Sequence, residues 1–332
     1  MRPGPSSLAI WAGMITLYIV WGTTYLGIAV VIETIPPYVM VAIRFLAAGV
    51  LLAAIVFVRE RGAIARPTRR QLVDSLIVGT GLVAVGNALV GVGEQTVPSG
   101  IAAVLVALMP AWLAVFGRAL LGDRLPRTVI LGIVIGILGV AILAWPTGGT
   151  GSLDPFGLAA IVIAPIGWSL GSLYSARRAS LPNPPLLATA YQMIGGGLVA
   201  AVVALVNGEA ATFDPATVSA RSLIAFAYLA LIGSLVGYTT YAWLIRHAPL
   251  SRVSTYTYVN PIVAVILGAL FLAEPITPRT VVAAAVIVVA VALIVRARGR
   301  LPAPQPAAAP ARERVAGPRP ASVTHPERAP SS

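Results

Sequence analysis

One charged side chain sits deep inside an apolar run. Arg44 lies about two helical turns into the stretch that opens at Pro36-Pro37, ~10 Å from its end at about 1.5 Å per residue. A guanidinium there costs ~2.5–3.5 kcal/mol to place in a bilayer, so it must face protein or a cavity. Two chemistries account for it. It can bind a carboxylate or phosphate through paired N–H groups. Alternatively it clamps a neighbouring acid, Glu94 first and Glu33 second, or helix-end carbonyls. In the second half of the chain the matching position is neutral Gln192, so a path lined by both is more positive at the Arg44 end. The deeper aromatic residues Trp21, Trp168, Tyr191 and Tyr256, with Thr24, Asn87, Ser172 and Asn260, supply the aromatic walls and few polar groups of a small-molecule pocket. The competing reading of each is helix packing or interhelical hydrogen bonding. Of the remaining Tyr and Trp on these runs, Tyr25 and Tyr238 among them, those near helix ends read as interfacial anchors.

Other chemistry lacks its residues. Cys is absent and the two His are His247, at a loop edge, and His325, near the C-terminus. No paired Asp or Glu lies within an apolar run. Neither a metal site nor an acid/base dyad can be assembled, so no enzyme and no cofactor is expected. Lys is absent as well, which removes a Schiff base, and no Gly-x-x-x-x-Gly-Lys motif marks an ATP-driven pump. Without a mid-membrane carboxylate, a dedicated proton relay is disfavoured. Exchange, uniport or coupling through a peripheral acid such as Glu94 remains.

The elements that position these residues follow from composition. Hydrophobic residues make up 58% of the chain and charged residues 10%, against about 25% charged in a soluble domain. Ten apolar runs, at 8–32, 37–58, 72–93, 98–119, 128–145, 156–175, 186–206, 223–244, 253–272 and 279–296, are each about long enough to span a bilayer. They do not alternate with period two, so they are helices rather than barrel strands. The first run is too long for a signal peptide. The net charge of +12 is no nucleic-acid signal, because Arg concentrates in alternate loops. Arg59, Arg61, Arg66, Arg69 and Arg70 share a side with Arg118, Arg124, Arg127, Arg177, Arg178, Arg246 and Arg252, whereas the other side holds Arg221 and Arg279 with most of the acids. Both termini are therefore expected in the cytoplasm. Residues 297–332, rich in Pro, Ala and Arg, are expected to be a disordered tail.

The runs also repeat. Pro36-Pro37 and Pro184-Pro185 open equivalent runs, with Arg44 and Gln192 seven residues beyond each pair. Pro98 and Pro249, Pro110 and Pro261, Gly117 and Gly268, and Asp123 and Glu274 share one offset, and Trp21 matches Trp168. A unit of five spans crosses in the opposite sense the second time, which predicts inverted halves at 8–145 and 156–296 after a short N-terminus at 1–7. Pro110 and Pro261 each remove a backbone hydrogen bond and should kink their helices. Gly132-x-x-x-Gly136 permits close helix approach, either internally or as the seam of a homodimer.

Trp21-Gly22-Thr23-Thr24-Tyr25, Pro36-Pro37 with Arg44-Phe45-Leu46-Ala47-Ala48-Gly49, Pro98-Ser99-Gly100-Ile101-Ala102, Gly167-Trp168-Ser169, and Tyr258-Val259-Asn260-Pro261 through Phe271-Leu272-Ala273-Glu274 together resemble the EamA family of the drug/metabolite transporter superfamily. The likeness covers about residues 8 to 296. It implies an all-α membrane protein of ten helices in two EamA repeats, set in a bacterial inner membrane and exporting small metabolites, amino-acid-like, or drugs. Asp123 departs from the family's usual Glu. An importer of the same fold and a non-transporting sensor or scaffold are the rival functions.

Overall fold

The computed structural model describes residues 6–61, 64–145, 153–248, 250–253 and 255–299. Residues 1–5, Pro249, Arg300 and the tail from 301 lie outside them. So do the side chains of Arg246 and Arg298.

Nine helices among the described residues are long and apolar enough to cross a membrane. They are α1 (Ser7–Val31), α2 (Pro37–Arg59), α3 (Arg69–Glu94), α4 (Ser99–Leu121), α5 (Arg127–Ala144), α6 (Pro155–Arg177), α7 (Pro185–Val206), α8 (Ala220–Tyr241, running on through Gly237–His247) and α10 (Pro278–Gly299). Between the last two lies α9 (Tyr256–Leu272), apolar but only 17 residues long. It starts three residues later than the apolar run at 253–272, and a separate short turn at Leu250–Val253 precedes it. Local sequence explains the starts. Pro37, Pro155 and Pro185 each occupy the first helical position, where no N–H bond is lost. Ser6, Asp154 and Ser219 cap α1, α6 and α8, and Thr68 with Gln71 forms a capping box on α3.

Three helices are interrupted. α3 contains a π turn at Thr80–Val85 and α8 one at Leu229–Val236. Each ends just before a glycine, Gly86 and Gly237, and these stand at the offset shared by the other paired landmarks. α4 is broken at Ala107–Leu108 into Ser99–Val106 and Met109–Leu121. The break lies in the turn preceding Pro110, where a kink is expected. Pro110 sits in the first turn of a new segment, where its missing N–H costs little. Pro261 lies inside a continuous α9.

Polar contacts define two ends of the bundle. At one, Glu209 accepts from the Tyr38 and Val39 N–H groups, Arg221 meets Glu33, Thr96 donates to Asp154, and Arg279 donates to the carbonyls of Ile142, Leu143 and Trp145 that close α5. At the other, Asp74 accepts from the Tyr174 hydroxyl and the Ser180 N–H, and Arg177 meets Asp123. Between them α2 packs along α7, α5 along α10, α4 along α9, α1 against α8 and α9, and α6 against α3 and α4. Small residues let these backbones approach. A methyl on Gly79 would strike the Gln192 carbonyl, and one on Gly167 would strike Val85. Gly132 and Gly136 face Ile294, Ala290 and Leu108, so α10 and α4 already cover the stripe considered as a homodimer seam. Outward faces carry Ile19, Val58, Leu131, Ile137 and Leu205, all exposed, as lipid-facing positions require.

Candidate functional site

α2 directs Arg44 inward, where 2% of it is exposed. Its Nε donates to the Ser234 hydroxyl on α8 at 2.9 Å, and its guanidinium carbon lies 4.8 Å from the centre of the Phe45 ring. Among the described residues Nη1 is buried with no hydrogen-bond partner. No acid among the described residues forms an ion pair with it, so the alternative of a clamp to Glu94 or Glu33 is not seen: Glu33 meets Arg221 at 3.5 Å, and both Glu94 oxygens are buried without a hydrogen-bond partner among the described residues. Glu94 ends α3 and is only 8% exposed. The serine holding Arg44 gave little sequence signal, since a lone Ser in the run Leu231-Ile232-Gly233-Ser234-Leu235 reads equally well as helix packing.

The guanidinium borders a cavity of about 100 Å³ lined by Trp21, Thr24, Tyr25, Asn87, Trp168, Tyr238, Tyr256, Asn260 and Pro261, among others. This is room for several waters. Its aromatic wall is a connected set, with Trp21 5.0 Å from Tyr256 and 5.8 Å from Tyr238, and Tyr238 6.3 Å from Trp168. Glycines at the ends of the π turns make room for the indoles. A methyl on Gly86 would lie 3.1 Å from Trp168, and one on Gly237 would collide with Trp21.

Polar groups in the cavity differ in how fully they are engaged. The Thr24 hydroxyl donates to its own helix at the Trp21 carbonyl, 2.6 Å away. The Asn87 amide answers a local need. In the π turn the Gly86 N–H goes to Gly81 and the Asn87 N–H to Val83, so the Leu82 carbonyl takes the Asn87 side chain at 3.0 Å instead. The Asn260 Oδ1 is buried with no partner. With Arg44 Nη1 and the Tyr238 hydroxyl also unpartnered among the described residues, the apolar chamber can receive a ligand carrying both polarities.

Seven sequence candidates line this chamber: Arg44, Trp21, Thr24, Asn87, Trp168, Tyr256 and Asn260. Gln192, Ser172 and Tyr191 do not. Tyr191 packs against the hydrophobic core, and the Gln192 backbone lies against Gly79. Tyr25 and Tyr238, grouped with possible interfacial anchors, are cavity walls. One acid went unremarked in the sequence, and another served only as a repeat landmark. Asp74 ties α3 to Tyr174 and to the Ser180 N–H, at 2.7 and 2.6 Å. Glu274 accepts from the Ser99 and Gly100 N–H groups, at 2.7 and 3.1 Å. No group of three or more His, Cys, Asp or Glu able to hold a metal occurs among the described residues.

Comparison with known proteins agrees with this architecture. The chain is 38% identical over 304 residues to the uncharacterized inner membrane transporter YedA of Escherichia coli strain K12, covering 91% of this chain and 95% of that one. It is 25% identical to a "Probable terminal-alkyne amino-acid exporter" of Streptantibioticus cattleyicolor, over 87% and 94% of the two chains. A solved crystal structure aligns with TM-score 0.58 at 20% identity, covering 87% of this chain and 96% of its own, and shares the fold. The EamA-like transporter family matches twice, over residues 8–145 and 155–296. A multi-pass bundle of apolar helices around a buried chamber, matched along nearly its whole helical length, belongs to the EamA-like transporter family.

Proposed function

We propose that the protein is a secondary transporter of a bacterial inner membrane, exporting small metabolites that carry an acidic group. One observation carries the substrate class. Arg44 is buried beside an aromatic chamber, keeps Nη1 unpartnered and has no acid against it. A desolvated guanidinium in that state is costly, and a carboxylate or phosphate entering the chamber would relieve it with charge-assisted hydrogen bonds. The unpaired Asn260 oxygen gives a second polar contact, which suits amino-acid-like compounds. The name of the Streptantibioticus relative points the same way.

In this reading α9 is the tenth span, ~26 Å long at 1.5 Å per residue, and the chain is two inverted five-helix halves, 8–145 and 156–296. Equivalently placed π turns, the pairs Gly86–Trp168 and Gly237–Trp21, and the two family matches support this. The Arg-rich end, with the termini, faces the cytoplasm. Each half then opens the chamber to one side in turn.

The test has two stages. Untargeted comparison of metabolites inside and outside cells lacking or overproducing the protein should find organic acids enriched outside the overproducer. Flux of those acids should fall partly in Arg44→Lys, which keeps charge but loses the two-pronged geometry, and far more in Arg44→Ala, at unchanged protein level. Enrichment inside the overproducer reverses the direction, and equal flux in Arg44→Ala removes the anion site.

A further inference from the structure

Glu94 is the charge-bearing side chain that the chamber chemistry leaves unexplained. It ends α3, it is 8% exposed, and neither carboxylate oxygen has a hydrogen-bond partner. Two titratable groups lie within electrostatic reach of it: Tyr25 from α1 and Glu274 from the end of α9. No cation forms an ion pair with it among the described residues. Nearby polar groups are engaged elsewhere. Asp154 at the start of α6 caps its own helix and takes the Thr96 hydroxyl, Glu33 meets Arg221, and Arg44 donates to Ser234. On the start of α2, the Tyr38 N–H goes to Glu209. Arg279 at the start of α10 is held by the α5 carbonyls.

Glu274 is placed differently. The chain turns at Ala273, with φ of 53°, and brings the Glu274 carboxylate onto the N-terminus of α4, five residues beyond Glu94. Two N–H groups and the helix dipole stabilise its charge there. It thereby fastens the end of α9 to the start of α4 at this end of the bundle. A buried carboxylate within electrostatic reach of a second, ionised one is costly to ionise as well. Glu274 has donors for its charge and Glu94 has none, so the fastened arrangement requires the proton to reside on Glu94.

We propose that Glu94 is the proton-binding site of this transporter and that its occupancy controls the α9–α4 fastening made by Glu274. Loss of the proton from Glu94 to water leaves a second anion beside Glu274 and releases Ser99 and Gly100. By linkage, opening of that end equally favours release of the proton. Tyr25 lines the chamber and lies within electrostatic reach of Glu94, and so connects the proton and substrate sites. The inference rests on the transport reading for its purpose, but its test uses no substrate.

The chain contains no Cys, so Ser99→Cys introduces a single thiol at the start of α4, where the wild-type side chain is 1% exposed. Purified Ser99→Cys protein in liposomes is treated with a water-soluble maleimide across a pH series. The same protein with Glu94→Gln is run at every pH, so the thiol's own titration cancels in the ratio. Labelling of the parent should exceed that of the Glu94→Gln protein by roughly 5- to 150-fold at high pH, the span of ordinary site–site coupling, and match it at low pH. Glu274→Gln should label fast throughout. Equal labelling with and without Glu94→Gln at all pH values overturns the proposal. Infrared spectra of the wild type guard against misfolding of the variants: a buried protonated carboxyl band that persists where labelling is slow is expected, and its absence there also overturns the proposal. Failure of these arms with intact flux of organic acids would leave the transport reading standing, and the converse holds.

Discussion

The Arg44 side chain makes one hydrogen bond among the described residues, to Ser234, although a guanidinium can donate about five. That single bond fixes the plane of the group, so Ser234→Ala should cost about 1–3 kcal/mol by leaving a buried charge-bearing donor unpaired. Because the two side chains touch, Arg44→Gln and Ser234→Ala should not add. The double variant should unfold close to the Arg44→Gln protein. Arg44 and Glu94 form no ion pair, so at acid pH the effects of Arg44→Gln and Glu94→Gln on unfolding should add within about 0.5 kcal/mol. Thermal unfolding of the purified single and double variants measures both. Rescue of Arg44→Gln by Glu94→Gln would restore the clamp reading.

At the level of elements, close approach and interruption decide the geometry. α3 and α7 meet at Gly79 and Gly196, where a methyl on either would run into backbone of the other. Backbone cannot swing away as a side-chain tip can, so Gly79→Ala and Gly196→Ala should each destabilise by about 1–3 kcal/mol or more, as overpacking does. Gly122, with φ of 71° and nothing near its Cβ position, would suffer only from its left-handed conformation, about 1 kcal/mol for Ala. Pro110→Ala should be nearly neutral, because in the first turn after the Ala107–Leu108 break no N–H bond is at stake. A loss as large as that of Gly79→Ala would mean that the proline itself holds the break open. Thermal shifts of the four proteins rank these costs.

For the whole molecule, orientation follows from charge. A reporter fused after Arg300 should read as cytoplasmic, and one inserted in the 207–221 loop as external, since Arg crowds the loops that share a side with the first. The reverse at both sites would turn the bundle over. The proton would then be released from Glu94 into the cytoplasm.

Sequence by itself determined where the helices lie, which loops share an end and that Arg44 must point inward. These depend on quantities summed over a segment: apolar length, charge per loop and the insertion cost of one cation. Tertiary structure alone decided who meets whom. The rotation of a helix about its axis is written in sequence only when one face is polar, and in lipid most faces of these helices are apolar. Hence Gln192, Ser172 and Tyr191 could be grouped with the chamber and yet lie outside its lining. The π turns add to this. Each extra residue rotates the following helix by about 100°, and Asn87 and Tyr238 follow directly on Gly86 and Gly237. A rotation of that size brings both into the chamber, where an unbroken helix would have carried them elsewhere. Glu94 shows the same limit. Its burial and its lack of a partner are set by packing between segments far apart in the chain, which leaves no local trace.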